Sequence, residues 1–133
     1  MLLQTRNPGD PVMRALVAGS RDSFLEEEIA SRERGMMPPF GRLASLILAG
    51  RDADLVRATG RKLAAAAPKA DGIAVWGPAP AFYQMLRGRT RERLLVHAAK
   101  NINVQNYLRA WMREIEIPRA VRLTIDVDPL SFY

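Results

Sequence analysis

GPAPAFYQMLRGRTRERLLV, residues 77–96, reads as an apolar strand, a reversal and a second apolar strand, with four arginines set around the reversal. Arg87, Arg89, Arg91 and Arg93 alternate along the chain, and side chains two apart in an extended backbone point the same way. A hairpin folding near Gly88 therefore gathers guanidinium groups at one end of a sheet. Guanidiniums are always charged and suit two-pronged contacts with phosphate or carboxylate. Upstream, Gly77-Pro78-Ala79-Pro80 separates the apolar runs 73–76 and 82–86 and reads as a bend between strand segments, because proline cannot donate to a sheet ladder.

The flanks of this hairpin follow a regular pattern. Residues 43–49 (LASLILA) form an apolar run bounded by Gly41 and Gly50 and are expected to be a buried strand. A helix capped by Asp52 or Asp54 follows, with Leu55, Val56, Thr59 and Leu63 on one face. After the hairpin, whose returning strand is expected over 91–98, Asn101 or Asn103 caps a second helix. There Val104, Tyr107, Leu108, Trp111, Met112 and Ile115 keep i, i+3, i+4 spacing, and Pro118 closes it. Residues 121–127 (VRLTIDV) alternate as a final strand. Strand-helix-strand-strand-helix-strand is the split β-α-β order of ferredoxin-like folds. The expected architecture is α+β: an antiparallel sheet with two helices on one face, its first and third strands central because crossovers are right-handed.

Residues 1–40 read differently. Asn7-Pro8-Gly9 is a turn, and Asp10-Pro11 starts a short helix with Val12, Met13, Leu16 and Val17 on one stripe. Ser23 with Glu26 forms a capping box opening a second helix to about Arg34, with Glu26, Glu27 and Glu28 in its first turn. Gly35 stops it and Pro38-Pro39 enforces an extended link. Segments 1–40 and 41–133 are thus expected to be a two-helix extension and an α+β domain.

Composition bounds the chemistry. With 133 residues the chain can bury roughly two-thirds of its unfolded surface without staples. It has no cysteine, which excludes disulfides, thiolate metal sites and cysteine nucleophiles. One histidine, His97, supports no serine-histidine or multi-histidine constellation. No apolar run approaches the ~20 residues needed to span a bilayer, and no signal-peptide pattern opens the chain, so a soluble protein is expected, and the lack of disulfides is compatible with a cytoplasmic one. The net charge of +6 favours anionic partners.

Four segments together resemble the C-terminal domain of primosomal protein N′, the family of PriA-type replication-restart helicases. They are QTRNPGDP (4–11), FLEEEIASRERGMMPPFGRLASL (24–46), WGPAPAFYQMLRGRTRERLLV (76–96) and IDVDP (125–129). The resemblance implies that 1–40 holds the tail of a helicase lobe and that the parent is an ATP-driven 3′–5′ DNA helicase using ATP, magnesium and structural zinc. No G-x-x-x-x-G-K-[ST] phosphate loop or zinc-ligand cluster occurs in this chain, so a non-catalytic domain without cofactor is expected. The resemblance further implies contact with forked or single-stranded DNA, packing on the helicase lobes of the same parent, and reception of the acidic tail of the single-stranded DNA-binding protein. Thr90 departs from the family pattern, where an aromatic usually precedes Arg91; that departure removes a stacking group from the hairpin tip.

Candidate residues carry plainer readings beside the functional ones. Arg87, Arg89, Arg91 and the deeper-set Arg93 are expected to contact DNA phosphates; alternatively they keep a turn soluble or pair with Glu92. By the resemblance, Lys100 and Gln105 are expected to hold the partner tail, with Tyr107 or Trp111 lining an apolar slot beside them, although Trp111 also lies on the core stripe. Asp126 and Asp128 lack a third ligand and are expected to fix the strand exit rather than hold a metal. Trp76 is expected to pack in the core, with docking on a helicase lobe second, and His97 to sit on the sheet surface. Two rival classes remain. A free-standing RNA-binding module would need exposed aromatics on central strands. An acylphosphatase-like hydrolase would need a phosphate loop that Gly50-Arg51-Asp52 does not supply.

Overall fold

The computed structural model describes residues 2–129; Met1 and residues 130–133, which the two expected segments include, lie outside the described residues. The chain divides after Phe40 into two compact units, each taken by itself.

The first unit holds two helices. In α1 (Pro11–Ala18) the Asp10 carboxylate accepts the Val12 N–H at 2.8 Å, and Pro11 occupies the first turn, where its missing N–H costs nothing. The buried residue is Ala15, flanked by half-buried Val12 and Met13, while Leu16 and Val17 are exposed, so the expected stripe is displaced toward Ala15. α2 (Arg21–Arg34) begins earlier than the Ser23–Glu26 box suggested. Ser20 is its cap: its Oγ accepts the Ser23 N–H at 3.3 Å and donates to Ser23 Oγ at 2.8 Å. The first-turn acid is accordingly Asp22, and Glu28 lies further along, paired with Arg32 at 2.7 Å.

The second unit is a four-stranded antiparallel sheet with two helices. Its elements are β1 (Gly41–Gly50), α3 (Ala53–Ala65), β2 (Ile73–Leu86), β3 (Arg89–Ala99), α4 (Val104–Arg113) and β4 (Arg122–Val127). The strand order is β2-β3-β1-β4, which puts the first and third strands at the centre as expected. Asp52 caps α3 by accepting the Asp54 and Leu55 N–H groups at 3.0 Å, and Asn103 caps α4 by accepting from Asn106 at 3.0 Å. α4 ends at Arg113, five residues before Pro118, so Ile115 packs on the core from beyond the helix.

Alternation sorts the sheet into two faces. Ala44, Leu46 and Leu48 of β1 and Leu94, Val96 and Ala98 of β3 are buried with Val56, Leu63, Val104, Leu108 and Trp111 of the helices. Each fully buried leucine is worth about 1.5–3 kcal/mol relative to exposure. Trp111, wholly buried, donates its indole N–H to the Leu63 carbonyl at 3.1 Å, so the core satisfies its one polar atom and ties α4 to α3. Tyr107 donates its hydroxyl to the Pro68 carbonyl at 2.8 Å, and burial raises its pKa above the usual phenol value.

The bend before the hairpin is one continuous strand, β2, carrying register shifts between Trp76 and Ala79 and between Pro80 and Met85. Gly77 sits there at φ +105°, and a Cβ on it would lie 2.6 Å from the Arg93 carbonyl oxygen. Both the left-handed backbone and the approach to β3 require glycine. At the strand exit, Asp128 Oδ1 accepts the Leu43 N–H at 3.0 Å and Oδ2 pairs with Arg42 at 3.0 Å. The Asp128 N–H meanwhile donates to the Leu43 carbonyl at 2.7 Å. Asp128 thus takes the strand-fixing role expected of Asp126 and Asp128, while Asp126 is exposed on β4. Among the described residues no group of three His, Cys, Asp or Glu side chains could hold a metal ion.

Gly77→Ala is expected to destabilise the chain by about 2 kcal/mol or more, read as a lowered midpoint in thermal or denaturant unfolding.

Candidate nucleic-acid interface

The hairpin turn is Arg87-Gly88, with φ values of 51° and 71°. Two successive left-handed residues match the type I′ turn, whose twist suits a two-residue antiparallel connection. From that turn β3 runs inward with Thr90 and Glu92 only 3% and 5% exposed, and Arg89, Arg91 and Arg93 on the other face. The arginines are therefore turned away from the helices by the same alternation that buries Leu94 and Val96.

Pairing with β1 and β4 extends the cluster beyond the hairpin. Ala49 is the register partner of Arg91 on one side and Arg122 on the other. Two arginines thus flank one alanine, about 10 Å apart across three strands. Arg51 continues the same alternation past the end of β1. The result is an open groove of about 540 Å³ lined by Arg51, Arg87, Arg89, Arg91 and Arg122, with Ile47 and Ala49 at its floor and Leu86 and Thr124 at its sides. The floor is concave because Ala49 is small between long neighbours.

None of these five guanidiniums has a carboxylate partner among the described residues. Glu92, the expected alternative partner, lies on the helical face, where Oε1 is 3.8 Å from Arg57 Nε. The structure thus joins Arg87, Arg89 and Arg91 in one groove, while Arg93 shares their face without lining it. Thr90 also points away from the arginines, so an aromatic at that position would face the helices; the departure there takes nothing from the groove. The hairpin sequence alone does not point to Arg51 and Arg122. Their signal lies in strand order: once β1 and β3 are central, the alternating positions 47, 49 and 51 and 122 and 124 fall beside Arg91.

The other candidates separate. Lys100 is exposed in the turn after β3, and Gln105 is exposed in the first turn of α4. Tyr107 does line an apolar slot of about 330 Å³, but its neighbours there are Pro68, Lys69, Ile73 and Val75 rather than Lys100 or Gln105. Trp111 is wholly buried in the core. Trp76, expected in the core, is 52% exposed and stacks on His97 with ring centroids 5.4 Å apart. Asp126 is exposed beside the Ser45 register position.

The fold and groove define an α+β domain of the split β-α-β type with a cationic sheet end. The family model for the primosomal protein N C-terminal domain matches residues 33–130, and the chain belongs to that family. It is 38% identical over 98% of its length to the replication restart protein PriA of Rickettsia felis, and 31% identical over 98% to that of Treponema pallidum. The Synechocystis protein of the same name is 33% identical over 98% of this chain. The chain spans only 20% of the Rickettsia and Treponema proteins and 16% of the Synechocystis one.

If the groove is the anion site, charge position outweighs net charge. Arg91→Ala with Arg122→Ala and Arg109→Ala with Arg113→Ala each lower the net charge from +6 to +4. Only the first pair is expected to move elution from immobilised heparin to clearly lower salt; equal shifts for both would show that the cluster has no special role.

Proposed function

We propose that this chain is a non-catalytic C-terminal domain of a cytoplasmic replication-restart helicase and that its arginine groove holds the phosphate backbone of forked or single-stranded DNA. The observation that carries the proposal is the set of five guanidiniums lining one groove with no carboxylate partner among the described residues. An extended polyanion supplies the counter-charges at intervals that no single buried carboxylate could. In this reading ATP, magnesium and zinc are bound by other parts of the parent, and this domain also packs on the helicase lobes. The relatives' role in replication restart supports the assignment of partner class.

The test is a salt titration of binding to a short single strand and to a forked duplex. On single strands, every phosphate left without its cation lowers the log-log slope by about 0.7. Arg89→Ala with Arg91→Ala should therefore weaken binding and flatten the slope by about 1.4, and Arg51→Ala with Arg122→Ala should do the same. A slope unchanged by both pairs would falsify the groove as a phosphate site.

The acidic tail of the single-stranded DNA-binding protein is the second partner proposed, received at Lys100 and Gln105. Both side chains are exposed where β3 gives way to α4, and a cation and an amide can each donate to a terminal carboxylate. Replacing both by alanine should weaken capture of an acidic tail peptide about tenfold or more, since a hydrogen bond to a charged group is worth about 1.5–3 kcal/mol. Undiminished affinity would move the tail site elsewhere.

A further inference from the structure

We propose that the exposed indole of Trp76, backed by His97, is a base-stacking platform on the face that carries the arginine groove, so that a bound single strand runs along β3 with phosphates at the arginines and a base on the tryptophan. The proposal rests on the reading of the groove as a phosphate site and adds what the bases meet.

Register sets the platform in line with the groove. Trp76 pairs with Leu95 and Ala79 with Arg93, so three residues of β2 span two of β3. That extra residue is a bulge, and bulges re-aim side chains. Pro78 takes up the slack toward the helices, where it lies against Gly60; a Cβ on Gly60 would be 3.1 Å from Pro78 Cβ. Trp76 and Ala79 consequently both stay on the arginine side, and Arg89, Arg91, Arg93 and the Trp76–Leu95 pair succeed one another at steps of about 7 Å, the rise of two strand residues. The distance from Arg89 to the indole is about 20 Å along the strand, a reach suited to a few nucleotides rather than one.

The indole is built to present a face. His97 lies nearly parallel to it, with an interplanar angle of 14°, and so holds one side of the ring while half of the residue remains open to solvent. A large aromatic held rigid, half exposed and beside a cationic groove is what a base can use: stacking tolerates any base because every base offers a π-face. Phe82 and Tyr83, also exposed, stack edge-to-face on each other and lie in the irregular stretch between Pro80 and Met85, so the register does not align them with β3.

The experiment compares an oligothymidylate of roughly twelve nucleotides with an abasic strand of equal length and charge, using the whole chain. Trp111 is wholly buried, so quenching of tryptophan fluorescence by the strand reports Trp76. Oligothymidylate should quench and the abasic strand should not. Trp76→Leu should weaken oligothymidylate binding about 5-fold or more while leaving abasic binding and the salt slope unchanged, and Trp76→Phe should restore most of the loss. Circular dichroism confirms that both variants fold. If Trp76→Leu binds both strands as the unsubstituted chain does, the platform is overturned and the exposed indole serves a protein surface; the groove then still stands if Arg89→Ala with Arg91→Ala loses binding. If neither strand binds the unsubstituted chain, the groove and the platform fall together.

Discussion

Two-residue periodicity in the central strands β1 and β3 is the constraint on which the rest depends. One set of alternate positions, Ala44, Leu46 and Leu48 with Leu94, Val96 and Ala98, is committed to the helices. The other set has no choice but the opposite face, and there the chain places Arg89, Arg91 and Arg93. A shift of one residue in β3 would bury guanidiniums and expose leucines, and the cost of several unpaired buried charges forbids it. The core and the cationic groove are therefore written in the same strands, in alternating letters.

The cluster of like charges is tolerable in water. Two guanidiniums about 10 Å apart at the surface repel by about 0.4 kcal/mol before screening, and physiological salt, with a Debye length of about 8 Å, reduces that further. Five such groups strain the free domain little. Each nonetheless gains when an anion approaches, so the groove is stable when empty and responsive to a polyanion. Glu92 could have neutralised it from the neighbouring position on β3, but strand alternation sends it to Arg57 instead.

Much of this is legible in the amino-acid sequence. The strand and helix order, the Asp10 and Asp52 caps and the strand-fixing Asp128 follow from local chemistry that short windows display, and the central strands from a rule of chain connection. What escapes depends on longer-range geometry. Ser20 rather than Ser23 caps α2 because either serine can accept an N–H, and local spacing does not rank them. Arg51 and Arg122 lie far from the hairpin in sequence and meet it only through the β3-β1-β4 pairing. Trp76 reads as core because apolar neighbours surround it in the chain; pairing with Leu95 on an edge strand instead puts it on the arginine face, where it stays half exposed. Lys69, not Lys100, borders the Tyr107 slot because α3 and β2 bring residues 67–75 under α4.

The Asp128 clasp has a geometric corollary. By holding the outgoing chain against Leu43 and Arg42, it brings the segment leaving β4 alongside the segment that starts β1, both at the end of the sheet remote from Arg91 and Arg122. Whatever is joined covalently on either side of this unit attaches at a single pole, like a hand held by the wrist.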